Sequence, residues 1–405
     1  MQVDDVQDQI MKQITRREML QAAGAGLFCL WADPAFCFFP FENNAHAASG
    51  PSDITGRILK NDAPDTLWKW SKEAFYYASA GTNRVACGLC PNECVLSAGD
   101  RGVCRSRVNM DGRLYSLAYG NACAANVDPV EKKPLFHFMP DTKAFSIAAA
   151  GCNFRCLNCQ NWEISQAKPE NLRHRDLFPQ KVVEAAQQYS ATSIAYTYSE
   201  AVTFYEYMYD TSSLARENNI RNLLISNGYI TPGPLSDLCR VLDGANINLK
   251  SFSDEIYRKL NGGRLSPVLE TLKTLHRKGI HFEITNLVVP GYTDDPEMMK
   301  RMCAWILENL GPDRPLHFLR FFPKYKLNRL PPTPVEQLEQ FRRTAMDMGI
   351  RYVYPGNVPG HEGSHTRCHK CGKVVIERKG YRIDKTHLKD GACGFCGENI
   401  PGVWH

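Results

Sequence analysis

Residues 149–162, AAGCNFRCLNCQNW, place three cysteines at C-x3-C-x2-C directly after an apolar run with the composition of a β-strand. Cys152, Cys156 and Cys159 lie on one short loop and can bind a cubane iron–sulfur cluster, for which an electron carrier normally supplies four cysteines. With three ligands, one iron stays open to chelate a small molecule. A zinc knuckle or plainly buried cysteines are the alternatives. The lack of a fourth ligand nearby and the strand-then-loop context favour the cluster.

Strand and helix patterns alternate from residue 145 onward. This alternation predicts a parallel sheet, hence an α/β fold. Six units are too few for a closed eight-unit barrel, so we expect an open, partial (β/α)6 barrel with its active site at the carboxyl ends of the strands. The predicted strands are 145–150, 193–198, 222–226, 245–249, 281–289 and 316–322, with a further strand at 351–354. The predicted helices are 180–189, 201–217, 232–242, 254–260, 266–277, 295–310 and 334–348.

A second cysteine cluster precedes the predicted barrel. It has four cysteines within eighteen residues and too few apolar residues for a core, so metal binding would have to supply folding energy. Zinc and a second iron–sulfur cluster both suit four thiolates, and free thiols are the remaining alternative. The four cysteines are Cys87, Cys90, Cys94 and Cys104.

A third cluster lies near the carboxyl terminus and consists of two C-x2-C pairs separated by twenty-one residues. This spacing is typical of a zinc ribbon, in which four cysteines fill the coordination sphere and the zinc is structural. Its cysteines are Cys368, Cys371, Cys393 and Cys396.

Composition sets broad limits on the remaining possibilities. The chain has 405 residues, of which 43% are hydrophobic and 22% charged, enough for one large domain with small appendages. The net charge of +5 comes without a long basic run, so we expect no nucleic-acid partner. Eleven of the sixteen cysteines fall in the three clusters, which indicates metal sites rather than disulfides.

The amino terminus has the features of a targeting segment. Residues 15–20, TRREML, resemble the twin-arginine export signal and precede a moderately apolar stretch, 19–39, and a small-x-small site at 45–47. Asp33 and Pro34 interrupt the apolar stretch, so we expect no stable membrane insertion. The pattern predicts a periplasmic protein exported in the folded state; without export it would be cytoplasmic. An unstructured or partly helical tail is the alternative.

These patterns divide the chain into five predicted regions. They are a twin-arginine-type signal segment (1–47), a linker with a short helix at 63–78 (48–84), an N-terminal four-cysteine metal knuckle (85–125), the partial barrel (126–355) and a C-terminal zinc-ribbon-like module (356–405).

Several further stretches carry a family resemblance. With the cluster motif, QNWEISQ at 160–166, VDPVEKKPLFHF at 127–138, FFP at 321–323 and IPGVW at 400–404 resemble the radical SAM component of the AmmeMemoRadiSam system, which is similar to the pyruvate formate-lyase activating enzyme. The resemblance extends from Cys87 to the last residues.

The resemblance implies two cofactors at the barrel, a 4Fe–4S cluster and S-adenosylmethionine. The three-cysteine loop would hold the cluster. The cosubstrate's amino group would meet Tyr198, Ser199 and Glu200, and its ribose would lie near Ser226 and Asn227. Lys250 would meet the methionine carboxylate, and residues 287–290 would flank the adenine.

The predicted function is therefore reductive cleavage of S-adenosylmethionine to a 5′-deoxyadenosyl radical, which abstracts hydrogen from a substrate. The resemblance implies an electron donor and a residue of a partner protein as substrate, with Memo-like or AMMECR1-like proteins as candidate partners. The rival hypothesis is a non-catalytic zinc or iron–sulfur protein that serves in interaction or electron transfer.

Overall fold

An eight-stranded sheet forms the centre of the protein, which we describe from a computed structural model over residues 58–405. Each strand lies beside the next one in the chain. The first pair is antiparallel and all later neighbours are parallel, so seven strands run in one direction. The first and last strands are the two edges, and the sheet stays open. The strands are Ala124–Pro129, Lys143–Ala148, Ser193–Tyr196, Arg221–Ser226, Gly244–Asn248, His281–Val288, Leu316–Arg320 and Val353–Gly356.

Helices connect the parallel strands, as parallel pairing requires. The longer α-helices are Pro179–Gln188, Tyr205–Glu217, Pro232–Leu238, Leu265–Arg277, Pro296–Leu310 and Val335–Asp347. Short α-helices span Trp162–Ser165 and Asp254–Ile256, and a π-helical turn spans Tyr257–Asn261. Single 3-10 turns span Val130–Lys132, Pro169–Asn171, Ala201–Phe204, Tyr325–Leu327 and Glu362–Ser364.

Local sequence explains these elements. The strand Ser193–Tyr196 is buried at every residue, because a parallel sheet covered on both faces leaves no side for polar groups. The helix Pro296–Leu310 starts where the Asp295 carboxylate accepts the N–H groups of Glu297 (3.0 Å) and Met298 (3.1 Å). Such a cap is worth about 1 kcal/mol, and proline at the first position needs no acceptor for an N–H group.

The predicted fold class is confirmed. All six strands expected in the barrel are present, with ends displaced by at most two residues, and the strand expected at 351–354 is Val353–Gly356. That strand extends the parallel set from six to seven. The strands Ala124–Pro129 and Val353–Gly356 extend across the domain boundaries predicted at 125/126 and 355/356.

The prediction of a short helix at 63–78 is wrong. This segment forms the strands Lys72–Glu73 and Tyr77–Ser79. The backbone N–H of Phe75 donates to Glu206 Oε1 (2.7 Å), and Tyr76 has φ of +57°, a value that no right-handed helix accommodates. Residues 58–84 therefore belong to the N-terminal module rather than to a linker.

Small antiparallel sheets build the N-terminal module. One contains the strands Lys72–Glu73, Arg113–Ser116 and Arg107–Met110, and another contains Tyr77–Ser79, Val85–Cys87 and Val95–Leu96. A two-stranded ribbon, Asn121–Ala122 with Arg175–Asp176, joins the module to the barrel.

The C-terminal module has its own small core and packs against the barrel. Its strands are Thr366–Arg367, Val374–Lys379, Arg382–Thr386, Leu388–Lys389 and Ala392–Cys393. Buried Arg378 donates to the carbonyl of Phe136 (2.8 Å) and stacks over the Phe136 ring, which belongs to the segment between the first two strands of the central sheet. This contact fixes the module to the barrel.

No helix within residues 58–405 has the length and apolar composition that a membrane span requires. The predicted export signal lies outside the described residues.

Candidate active site

The cysteine loop follows the first parallel strand, Lys143–Ala148. Gly151 opens it with φ of +107°, and a Cβ at this position would lie 2.4 Å from the carbonyl oxygen of Cys104, so glycine is required. Phe154 points into the core and packs against Tyr229. The buried phenylalanine anchors the loop while the cysteines around it face a cavity.

Amide groups surround the loop sulfurs. The side-chain amide of Asn261 donates to Cys156 Sγ at 3.2 Å, and the backbone N–H of Phe154 donates to Cys152 Sγ at 3.3 Å. The side-chain amide of Asn227 lies 3.9 Å from Cys152 Sγ. Donors of this kind stabilise thiolates and tune the potential of an iron–sulfur cluster. Burial raises the pKa of the Cys152 thiol and the N–H of Phe154 opposes that rise, so the donors offset part of the cost of charged sulfur in this site.

The predicted site residues meet in one cavity of about 400 Å³ at the carboxyl ends of the parallel strands. Strands from distant parts of the chain supply them, and the parallel arrangement brings their ends to one edge. The cavity is lined by Cys152, Cys156, Cys159, Tyr198, Ser199, Glu200, Ser226, Asn227 and Lys250. Leu287 and Val289, from the segment expected at the adenine, also line it.

Glu200 is the one carboxylate of this set and is buried, with 2% exposure. Its oxygens accept from the N–H of Val202 (3.1 Å), the hydroxyl of Ser226 (2.6 Å) and the N–H of Asn227 (2.8 Å). Burial raises the pKa of Glu200 above its ordinary value, and these donors oppose the shift. A carboxylate offers about four acceptor positions, so about one is left for a further donor. Glu200 both caps the turn Ala201–Phe204 and retains capacity toward the cavity.

Other predicted residues are partly occupied by internal contacts. The Ser199 hydroxyl donates to the carbonyl of Ala149 (2.6 Å), and the Tyr198 hydroxyl donates to Asp128. Lys250 is half-buried and has no salt bridge within the described chain. Its positive charge opposes the rise that burial causes in the pKa of Glu200 and in the pKa of Cys159. Lys250 is therefore available to an anionic ligand.

The sequence analysis missed a charged network in the cavity wall. Lys133 is buried, donates to Asp128 Oδ2 (2.6 Å) and lines the cavity. Burial lowers the pKa of Lys133 to about 8, against the opposing effect of Asp128. Burial alone would raise the pKa of Asp128, but Lys133 lowers it below its usual range. The sequence signal for this network is the charged Glu-Lys-Lys run at 131–133, within the stretch 127–138.

The C-terminal cysteines form a compact group. Cys368 Sγ lies 3.7 Å from Cys396 Sγ, and Cys371 Sγ lies 3.7 Å from Cys393 Sγ. All four sulfurs lie within 4.8 Å of one another. A tetrahedral zinc with Zn–S bonds of about 2.3 Å needs sulfurs about 3.8 Å apart. The group therefore fits a single metal ion.

The N-terminal cysteines line a cavity of their own, together with Arg107 and Asn153. Asn153 directly follows Cys152, so this cavity adjoins the cysteine loop. In the described part of the chain, neither these four cysteines nor the loop cysteines form a group as compact as the C-terminal one.

Comparison with known proteins identifies the family. The profile of the radical SAM superfamily matches residues 146–303. The protein MJ0808 of Methanocaldococcus jannaschii, described as uncharacterized, is 46% identical over 334 residues, which cover 82% of this chain and 99% of that protein. The chain belongs to the radical SAM superfamily. The pyruvate formate-lyase 1-activating enzyme of Escherichia coli K12 is 24% identical over 220 residues, covering 50% of this chain and 89% of that enzyme.

Solved radical SAM structures align more loosely. A radical SAM methyltransferase from Sphaerobacter thermophilus aligns with a TM-score of 0.43 at 13% identity, covering 54% of this chain and 67% of that one. A domain of a pyruvate-formate lyase-activating enzyme from Bacteroides vulgatus aligns with a TM-score of 0.36 at 13% identity, covering 41% of this chain and 99% of that domain.

Membership makes the protein a radical SAM enzyme similar to activating enzymes. The radical SAM fold implies a 4Fe–4S cluster and S-adenosylmethionine, which is cleaved to a radical. The non-catalytic interpretation is therefore wrong.

Proposed function

We propose that Cys152, Cys156 and Cys159 hold the 4Fe–4S cluster and that the 5′-deoxyadenosyl radical abstracts hydrogen from a residue of a partner protein. When bound, the cluster and S-adenosylmethionine supply the electron transfer and the radical. One observation carries the proposal: three cysteines, a buried carboxylate and a lysine without a salt bridge among the described residues follow separate strands and line a single cavity.

The cysteine loop fits a cluster better than a single metal ion. Its three sulfurs line the cavity but do not all lie within 4.8 Å of one another, in contrast to the C-terminal four. Each thiolate of a cubane binds a different iron, so its sulfurs are farther apart than those around one ion. The amides of Asn261 and Asn227 provide the N–H groups that a negatively charged cluster needs.

The polar groups of the cavity fit a zwitterionic nucleoside ligand. We assign the remaining acceptor position of Glu200 to the cosubstrate's ammonium and Lys250 to its carboxylate, because each pairing joins opposite charges. The side-chain oxygens of Asn158 and Asn261 are buried at the cavity without a hydrogen-bond partner among the described residues. Buried acceptors of this kind need a donor, which a bound ligand supplies. We assign Tyr198, Ser199, Ser226 and Asn227 to the walls that orient the ligand.

Two features support a protein substrate. The similarity to a pyruvate formate-lyase activating enzyme concerns an enzyme whose name identifies a protein as its target. In addition, Tyr381 of the C-terminal module lines the cavity and is 47% exposed, so this part of the cavity wall is also surface that a partner protein can contact.

We also propose Memo-like or AMMECR1-like partners and a separate electron donor. We further propose zinc in the C-terminal module and twin-arginine export to the periplasm.

The test is anaerobic reconstitution followed by dithionite and S-adenosylmethionine, with 5′-deoxyadenosine and methionine as the measured products. We expect Cys156→Ala to abolish product formation. The control Cys239→Ala, a half-buried cysteine outside the cavity, should leave it unchanged. Equal activity of Cys156→Ala and wild type would refute the assignment.

The substrate class needs a separate experiment. We expect deuterium from an isotopically labelled partner protein to appear in 5′-deoxyadenosine, and no transfer from the labelled partner after it is denatured and digested. Deuterium transfer only from small molecules would exclude a protein substrate.

A further inference from the structure

The four cysteines of the N-terminal module surround one cavity. Cys87 and Cys90 are buried, and Cys94 and Cys104 are half-buried. The backbone N–H of Cys87 donates to the carbonyl of Cys94 at 2.9 Å, which closes the knuckle. No thiol of the described chain is in a disulfide. The cavity therefore presents four thiols to one enclosed space.

The distance between the sulfurs distinguishes a site for a single zinc ion from a site for an iron–sulfur cluster. A single tetrahedral ion needs sulfurs about 3.8 Å apart, and the C-terminal cysteines meet that requirement in the same protein. Within residues 58–405, the N-terminal cysteines do not supply even three sulfurs within 4.8 Å of one another. The N-terminal cysteines therefore do not meet the requirement of a single ion, whereas a cubane binds each thiolate at a different iron and needs no such close group.

Polar and cationic groups lie beside two of the sulfurs that line the cavity. Arg107 is 2% exposed, and its Nη1 lies 3.8 Å from Cys87 Sγ. The Ser106 Oγ lies 3.4 Å from Cys104 Sγ and donates its hydrogen to the carbonyl of Thr203 at 2.9 Å. Arg107 forms an ion pair with Glu206, but its Nε is buried and has no hydrogen-bond partner in the described structure. Arg107 lines the cavity, and its guanidinium therefore keeps one N–H without a partner among the described residues.

The cavity also touches the active-site loop. The carbonyl oxygen of Cys104 lies 2.4 Å from the position that a Cβ on Gly151 would take, and Gly151 precedes Cys152. The side-chain amide of Asn92 donates to the carbonyl of Asn153 at 2.9 Å. The knuckle is thus in direct contact with both sides of Cys152.

We infer that Cys87, Cys90, Cys94 and Cys104 bind a second 4Fe–4S cluster, in contact with the loop that carries Cys152. The inference rests on the proposed function only for the identity of the first cluster. The C-terminal cysteines remain the site of a single metal ion.

The test is metal analysis of the full chain after anaerobic reconstitution with ferrous iron and sulfide. We expect about eight irons and eight sulfides per wild-type chain. The triple variant Cys152→Ala, Cys156→Ala, Cys159→Ala should keep half of that iron and show the electron paramagnetic resonance signal of a reduced cluster. A triple variant that holds no iron and gains a second zinc would overturn the inference.

A complementary variant controls for adventitious iron. Cys94→Ala with Cys104→Ala should lose half of the wild-type iron, and combining it with the triple variant should remove all of it. If the knuckle variant does not fold, the triple variant still decides. The two proposals fail separately: four irons in the triple variant with no 5′-deoxyadenosine from wild type would refute only the proposed function, and the reverse result would refute only the second cluster.

Discussion

Replacing Gly151 by alanine tests the contact between the N-terminal module and the cysteine loop. Alanine at φ of +107° costs about 1–3 kcal/mol of backbone strain. Its Cβ would also lie 2.4 Å from the carbonyl oxygen of Cys104, and moving backbone to relieve such a contact costs about 1–3 kcal/mol more. We expect Gly151→Ala to lower the free energy of unfolding by about 2–6 kcal/mol, a large share of a typical total of about 5–15 kcal/mol.

Gly279→Ala is the matched control. Gly279 also has positive φ, +68°, but a Cβ there would meet no atom within 4 Å, so only the strain term of roughly 1–2 kcal/mol applies. Urea unfolding of the reduced apoprotein measures both variants, and iron content after reconstitution measures the effect on the site. If the two substitutions lowered the free energy of unfolding equally and both variants bound the full amount of iron, the contact between Cys104 and Gly151 would not constrain the loop.

Further predictions concern charge, ligand binding and export. Burial raises the pKa of Glu131 from 4.5 to about 7, so the folded protein holds a proton that the unfolded chain releases. The associated stability is complete below pH 4.5 and is lost as the pH rises to about 7, a loss of about 3 kcal/mol. Glu131→Gln should therefore be the more stable protein at pH 8 and equal to wild type at pH 4.5; unfolding curves that show no pH-dependent difference would contradict this. Lys250→Met should weaken S-adenosylmethionine binding about tenfold or more, since a charged hydrogen bond is worth about 1.5–3 kcal/mol, and the exposed control Lys278→Met should not change the dissociation constant measured by calorimetry. Arg16→Lys with Arg17→Lys should abolish periplasmic accumulation in cell fractionation, and unchanged levels would rule out twin-arginine export.

Patterns confined to short stretches were predictable from the sequence. The strands ended within one or two residues of their predicted limits, because each is a short apolar run whose burial is decided locally. The position of Cys152, Cys156 and Cys159 after the first parallel strand was predictable for the same reason. The likeness to activating enzymes was also predictable, since it rests on contiguous motifs such as those at 127–138 and 160–166.

Features that depend on distant partners were not predictable. The segment at 63–78 has helical composition, yet its backbone pairs with Leu114 and Glu206 and forms strands instead. Lys133 has no visible role in the sequence, because its partner Asp128 and the cavity it lines come together only when the sheet forms.

The amino-acid sequence alone determined the class of fold, the three cysteine clusters and the chemistry they suit, because strand patterns and ligand spacing are properties of short segments. Only the tertiary structure decided that the C-terminal sulfurs lie close enough together for a single metal ion and that the carbonyl of Cys104 lies beside Gly151. The reason is physical: distances between segments far apart in the chain are set by the packing of side chains between them.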